Sequence, residues 1–177
     1  AGSELVEPLV NEPAVLEGMS GTNPAWQRDA VAWYTDPDAL DVFLAPDGPD
    51  AWQRVQRGEE PERRALPRTK VSNIRESDLE ITFDVDRTGE PVLVKTSYFP
   101  NWKVSGATGV YRVTPNLMVV VPTAEHVELT YGYTSVDALG YGLTALALVG
   151  VVFLAWRGPT VFPPPKRRSR SDDGTET

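Results

Sequence analysis

Residues 138–156, ALGYGLTALALVGVVFLAW, run without a single charged side chain, and this constrains the chain more than any other feature. At the helical rise, 19 residues make a helix of about 28 Å, close to the thickness of one bilayer hydrocarbon core. Tyr141 near one end and Trp156 at the other are side chains that favour the headgroup level, and Arg157 follows at once. These three are expected as membrane-interface anchors. The competing reading is a buried helix of a soluble protein, but such helices rarely give way to a basic tail broken by proline. Here Gly158-Pro159 stops the helix, Pro163-Pro164-Pro165 stiffens the exit, and the final SDDGTET has the composition of disorder. A transmembrane helix over 138–157 and a disordered basic tail over 158–177 are therefore expected.

Charge gives the span a direction. Of the 17 basic and 25 acidic side chains, five basic and three acidic lie from Arg157 onward, leaving 12 against 22 before the helix, a net of −10. The positive-inside rule then places the tail in the cytoplasm and residues 1–137 outside a plasma membrane, with the basic cluster drawn to anionic inner-leaflet lipid. An acidic outer segment excludes nucleic acid as a partner, because phosphate binding needs a clustered basic surface. No cysteine is present, which excludes disulfides, thiolate metal sites and cysteine nucleophiles. Residues 1–21 have neither the basic start nor the apolar run of a signal peptide. The expectation is a C-terminal piece of a multi-spanning protein, a removed signal being the other route to export.

Before the span, two regions differ in period. Residues 1–68 read as a mixed segment, with a helix near 24–34 started by Asn23 and Pro24. Its apolar side would be Trp26, Ala30, Val31, Trp33 and Tyr34. Residues 41–45 resemble a short strand, 50–57 fit a helical turn or a strand equally well, and 57–68 form a charged loop. From residue 69 the period becomes two. Leu79, Ile81, Phe83 and Val85 alternate with polar residues, and 91–99, 109–113, 117–121 and 127–133 follow across tight turns. Five or six short, half-buried strands predict a mainly β fold, an antiparallel β-sandwich over 69–137. Only 134–137 separate the last strand from the span, so the sandwich is expected to rest on the bilayer surface.

Catalytic signals are sparse. The only histidine, His126, falls on the polar side of an alternating strand, and no nucleophile elbow or phosphate-binding glycine loop is present. Acids group at Asp36/Asp38/Asp41, Asp47/Asp50 and Asp84/Asp86; the first group, DPDALD, lacks the glycine and bidentate glutamate of a calcium loop at the required positions, and strand acids usually solvate a face. Paired-acid glycoside hydrolysis would need two of them facing a common cleft. No metal or cofactor is expected. Tyr98, Phe99, Trp102, Tyr111, Tyr131 and Tyr133 all fall in the β half. Their flat faces suit sugar rings or a membrane interface, and packing in the core is the simpler role for each.

The run 95–102, KTSYFPNW, resembles the extracytoplasmic C-terminal module of bacterial YfhO-like and related GT-C-class membrane glycosyltransferases. In those families a strand ends in tyrosine, an aromatic, proline, usually glycine, and tryptophan. A further strand, a turn and a Y-x-Y-like strand then lead into a last transmembrane helix. Tyr98-Phe99-Pro100-Asn101-Trp102 matches with Asn101 in the glycine place, where asparagine also tolerates a left-handed backbone. Val119-Val120-Val121-Pro122 and 127–133 occupy the later positions. The resemblance covers roughly 79–157 and departs at 103–109, which is short and lacks the usual acidic-glycine turn. It implies a jelly-roll-like accessory module of a cell-envelope glycosyltransferase that supports or binds lipid-linked sugar or glycan. Those enzymes carry their catalytic carboxylate in an early loop that this sequence does not contain, so no catalytic residue is carried over. The alternative is a non-catalytic interaction module whose glycine-bearing helix packs against other transmembrane helices, Gly140, Gly142 and Gly150 permitting close approach.

Overall fold

The structure, a computed structural model, describes residues 5–19, 24–133 and 135–157. These fall into two compact units that divide between Gly132 and Tyr133. The expected disordered tail over 158–177 and the Asn23 cap lie outside the described residues.

The first unit is mainly β. One antiparallel sheet runs in the order β1 (Val6–Pro8), β7 (Val92–Val94), β10 (Leu117–Pro122), β9 (Ala107–Val113). A second antiparallel sheet runs β5 (Val71–Glu76), β6 (Glu80–Val85), β11 (His126–Tyr131), β8 (Trp102–Ser105). Alternation drives the second sheet: Ile81, Phe83 and Val85 are buried while Glu80 is exposed, and Phe83 and Ile81 pair in register with Val127 and Leu129. These side chains share one core cluster with Val92, Val94, Met118 and Val120 of the first sheet. Fully burying each contributes roughly 1.5–3 kcal/mol.

The first sheet departs from the half-buried expectation. Val92, Leu93 and Val94 are all buried, as are Met118, Val119 and Val120. Continuous apolar runs of this kind belong to strands covered on both faces. The even positions join the cluster just described, while Leu93, Val113 and Val119 join a second one with Leu9, Val15, Ala45 and Trp52. The cover on that face comes from residues before 69. There β2 (Ala14–Leu16) pairs in parallel with β3 (Leu44–Ala45) and β4 (Gln53–Val55). The crossover from β2 to β3 holds α1 (Ala25–Thr35), as parallel strands require. The ambiguity over 50–57 resolves as a strand, and β1, also from the N-terminal segment, is hydrogen-bonded into the first sheet.

Trp26, Ala30 and Trp33 recur every three or four residues and form the buried side of α1, with Val42, Val55, Ala14 and Leu16 beneath. Trp33 donates from Nε1 to the Val42 carbonyl at 2.8 Å. Val31 and Tyr34, expected on that side, are instead exposed. Pro24 takes the cap position rather than the first helical one and makes no side-chain cap bond. Asn101 keeps a negative φ, the positive-φ non-glycine among the described residues being Asn73. Its side chain donates to the Gly132 carbonyl at 3.0 Å and its own carbonyl accepts from Gly132 N–H at 3.1 Å. Asn73 sits in a bulge of the exposed edge strand β5 and donates to Asp84 at 2.7 Å; a bulge of this kind twists an edge away from further pairing.

The second unit contains α2 (Ser135–Arg157), three residues longer at its start than the sequence suggested. Within its stretch Asp137–Arg157 an 18-residue window has a mean hydropathy of 2.1 and is not buried. The helix is therefore long and apolar enough to cross a membrane. Asp137 lies in its first turn and Arg157 in its last, each matched to the helix dipole.

Candidate functional site

Of the six aromatics, the structure does not gather the five that lie in the first unit into one platform. Trp102 and Tyr131, partners in register across β8 and β11, meet edge to face with centroids 5.3 Å apart, and exposed Phe99 meets Tyr131 at 6.3 Å. Tyr111 leans on Trp52 at 5.2 Å and fills the gap between the first sheet and the parallel strands. Tyr98 lies elsewhere, beside Arg112. In the second unit Tyr133 and Tyr141 form an edge-to-face pair at 5.9 Å, Trp156 is exposed, and Arg157 lies over Phe153 at 5.7 Å.

A cleft of about 610 Å³ opens where α1 meets the turn between β9 and β10. The helical spacing that buries Trp26 and Ala30 leaves Gln27, Val31 and Tyr34 along the rim, and the turn supplies Pro115 and Asn116. Trp26 ties the two walls together by donating from Nε1 to the Pro115 carbonyl at 3.1 Å. Arg112, at the end of β9, completes the lining. Its guanidinium carbon lies 3.8 Å from the centre of the Trp26 ring and 5.6 Å from that of Tyr98, while its Nε donates to Asn116 Oδ1 at 2.9 Å. Stacking on an indole stabilises a cation by roughly 0.5–2 kcal/mol. Burial pushes the guanidinium below its usual pKa, with Tyr98 partly offsetting this; arginine still carries its charge. Trp26 was legible as a helix residue, but nothing local marked Arg112 and Asn116 as its neighbours across the fold.

A second cleft, of about 550 Å³, lies on the other side of α1 and contains Asp29. Arg57 donates to one carboxylate oxygen of Asp29 at 2.7 Å and Arg28 to the other at 3.3 Å. Burial alone would raise the pKa of this carboxyl, but the two arginines outweigh it and hold it below the ordinary value. On the outer face of the second sheet, His126 Nδ1 lies 2.6 Å from Asp84. The Asn73 amide, followed by His126, holds the Asp84 carboxyl down. Asp36, Asp38, Asp41, Asp47 and Asp50 are exposed. Asp41 pairs with Arg63 and Asp50 with Arg54, so these acids solvate the surface. Among the described residues no group of three or more His, Cys, Asp or Glu is placed to hold a metal ion.

The described residues that line the α1–hairpin cleft thus combine apolar wall, amide and guanidinium, which suits the cleft to hold a ligand. No family model, no curated protein and no solved structure matches the chain.

Proposed function

We propose that the chain is a membrane-anchored, extracytoplasmic accessory module. In this reading it is the C-terminal part of a multi-spanning, glycosyltransferase-like protein of the cell envelope and binds glycan or lipid-linked sugar. Its two four-stranded sheets are taken as a jelly-roll-like β-sandwich and α2 as its membrane span. The observation that carries the reading is the cleft between α1 and the β9–β10 turn. Its volume falls in the range of small-ligand sites, roughly 300–1,000 Å³, and it sets an exposed tyrosine ring beside amide and guanidinium donors. That is the combination that a sugar ring, apolar on its faces and hydroxylated at its edge, calls for. Support also comes from the three residues that separate β11 from α2, which tether such a site to a membrane with little linker.

Glycan binding by the full chain in lipid nanodiscs tests the reading. Tyr34 is 68% exposed on the rim, so Tyr34→Ala should preserve the fold and weaken binding about tenfold, near the 1–1.5 kcal/mol of an aromatic contact. Unchanged binding in that variant removes the cleft from the reading, and no binding to any glycan removes the function. Sidedness is tested separately. Because the chain has no cysteine, Thr123→Cys and Ser169→Cys each give a single label site; an impermeant maleimide should reach the first in intact cells and the second only after permeabilisation.

A second reading, an interaction module that docks on other transmembrane helices, is favoured by the open surroundings of Gly140, Gly142 and Gly150. A side-chain carbon added at any of them meets nothing within 4 Å. Crosslinks from Gly142 or Gly150 to a neighbouring helix support it, and a lone monomer in both detergent and lipid counts against it.

A further inference from the structure

Resting on the reading of α2 as a membrane span and independent of the cleft, we infer that the end of the second sheet where β11 finishes is a lipid-docking tip. Leu79 and Phe99 seat it in the headgroup–acyl boundary of the bilayer. Three features carry this. First, an apolar row runs off the end of the core. The register that sets Glu80 opposite Thr130 brings Leu79 opposite Tyr131, whose N–H donates to the Leu79 carbonyl at 2.8 Å, and Tyr131 lies opposite Trp102 on β8. Residues opposite one another share a face, so these three form the last row of the side that carries Ile81, Phe83, Val127 and Leu129. Burial fades along it: Trp102 is buried, Tyr131 half-buried and Leu79 59% exposed. The alternation over 79–85 assigns Leu79 to the core, yet the core stops short of it. Phe99, 51% exposed, meets Tyr131 edge to face at 6.3 Å, and Pro100 beside it is exposed too. One exposed leucine is ordinary, whereas a contiguous apolar patch marks a docking surface.

Second, the backbone holds these side chains outward. Ser77 N–H donates to the Glu80 carbonyl at 2.8 Å and closes the turn that carries Leu79. On the Phe99 side, Trp102 N–H donates to the Phe99 carbonyl at 3.1 Å and Tyr98 N–H to the Asn116 carbonyl at 2.9 Å. The pair of bonds between Asn101 and Gly132 then ties this loop to the end of β11. An apolar surface set in place before docking gives up little conformational freedom when it docks.

Third, the chain itself names the occupant. β11 ends at Tyr131 and α2 begins at Ser135. Four Cα steps reach at most about 14 Å, so chain length alone keeps Tyr131 close to the interface at which a span begins. Tyrosine favours that level, and exposed apolar side chains gain by entering it. The surrounding charge is mixed. Glu80 and Lys103 both stand opposite Thr130, on the face away from Leu79, and Asp78 adjoins Leu79 in the turn. Such a rim selects neither anionic headgroups nor a strongly charged protein. Apolar contact with lipid supplies the attraction, so docking should not need anionic lipid.

Electron paramagnetic resonance on the full chain in nanodiscs of neutral lipid tests the tip. The chain has no cysteine, so Leu79→Cys, Phe99→Cys, Thr123→Cys and Val149→Cys each take a single nitroxide. Thr123 lies between β10 and β11, at the other end of β11 from Tyr131, and Val149 lies within α2. Relaxation by oxygen, which concentrates in the bilayer, is compared with relaxation by a water-soluble nickel chelate. The ratio of oxygen to nickel access should be several-fold higher at the Leu79 and Phe99 positions than at Thr123. Phe99→Ser removes an exposed ring without adding charge. It should raise nickel access at the Leu79 position several-fold and leave thermal unfolding unchanged. A ratio at the Leu79 and Phe99 positions equal to that at Thr123, with Val149 shielded from nickel, overturns the tip and leaves the span standing. Free nickel access at Val149 overturns the span and the tip together. Shielding of the Leu79 and Phe99 positions from both reagents assigns the patch to a protein contact, a second copy included, and overturns lipid as its occupant.

Discussion

Replacing Asp29 is the sharpest test of how α1 is fastened. Asp29 has a side chain only 7% exposed and accepts from Arg57 at 2.7 Å, while Arg57 itself is 51% exposed. A hydrogen bond to a charged group contributes about 1.5–3 kcal/mol. Arg28, 66% exposed with a contact of 3.3 Å, behaves as a surface ion pair and adds under about 1 kcal/mol. In Asp29→Ala no buried acceptor is orphaned and Arg57 remains hydrated. The loss should therefore stay near 2 kcal/mol, below the 3–5 kcal/mol of a pair broken in a dry interior. For a unit of this size that is a fall in Tm of about 6–10 °C. Arg28→Ala should cost less than about 0.5 kcal/mol. The pH dependence has a definite sign. In the folded chain Arg57 and Arg28 outweigh burial and hold the Asp29 carboxyl below its ordinary value. Its contribution is complete above that value and disappears as pH falls through the lowered folded pKa. Urea denaturation of the full chain, followed by tryptophan fluorescence between pH 7 and pH 2.5, should show Asp29→Asn losing part of the acid-side slope of the parent. If Asp29→Ala and Arg28→Ala cost the same, or if the acid slope survives in Asp29→Asn, the buried pair does not hold the helix.

Two further substitutions probe the sheets and the span. Gly106 joins β8 to β9 at φ +75°, and a side-chain carbon there would run into the backbone carbonyl of His126; Gly106→Ala should cost at least about 1–3 kcal/mol in the same urea titration, whereas Gly89→Ala, with an equally positive φ but open surroundings, should cost less. Val149 lies mid-way along α2 and is exposed, so Val149→Arg should lower the membrane-inserted fraction in a glycosylation-mapping assay by about 2.5–3.5 kcal/mol of insertion free energy, and a parent helix that shows no insertion in that assay would mean that α2 does not cross the bilayer.

What the sequence made legible follows the range over which each signal acts. The apolar run of α2 and the strict alternation over 80–85 and 126–131 are local patterns, so the helix and the central pair of the second sheet could be read directly. Alternation failed where burial was two-sided. Val92–Val94 looks like part of a longer half-buried strand until the parallel strands β2, β3 and β4 are seen to supply a second cover. Those strands are two or three residues long; 41–45 could be read as a short strand, but nothing so short reveals its parallel partners. Edge strand β5 escaped notice for the opposite reason, since its exposed face and its bulge at Asn73 erase the pattern.

The cleft was illegible because its two walls are far apart in sequence. Trp26 and Pro115, which share its cross-wall hydrogen bond, are separated by 89 positions, and no local pattern links a helix residue to a strand arginine across that interval. Aromatic count alone drew attention to the β half, yet most of those rings are used in packing: Tyr111 on Trp52, and Trp102 on Tyr131. The ring that matters for a ligand is one whose face is left over after packing, and the helix period decides which that is. With Trp26, Ala30 and Trp33 turned inward, Val31 and Tyr34 must turn outward. The same turn that buries Trp26 beneath Arg112 thus brings Tyr34 to the rim, so core formation and site formation are consequences of one helical spacing. Shifting that spacing by one residue would expose both tryptophans and dismantle the cleft together with the core.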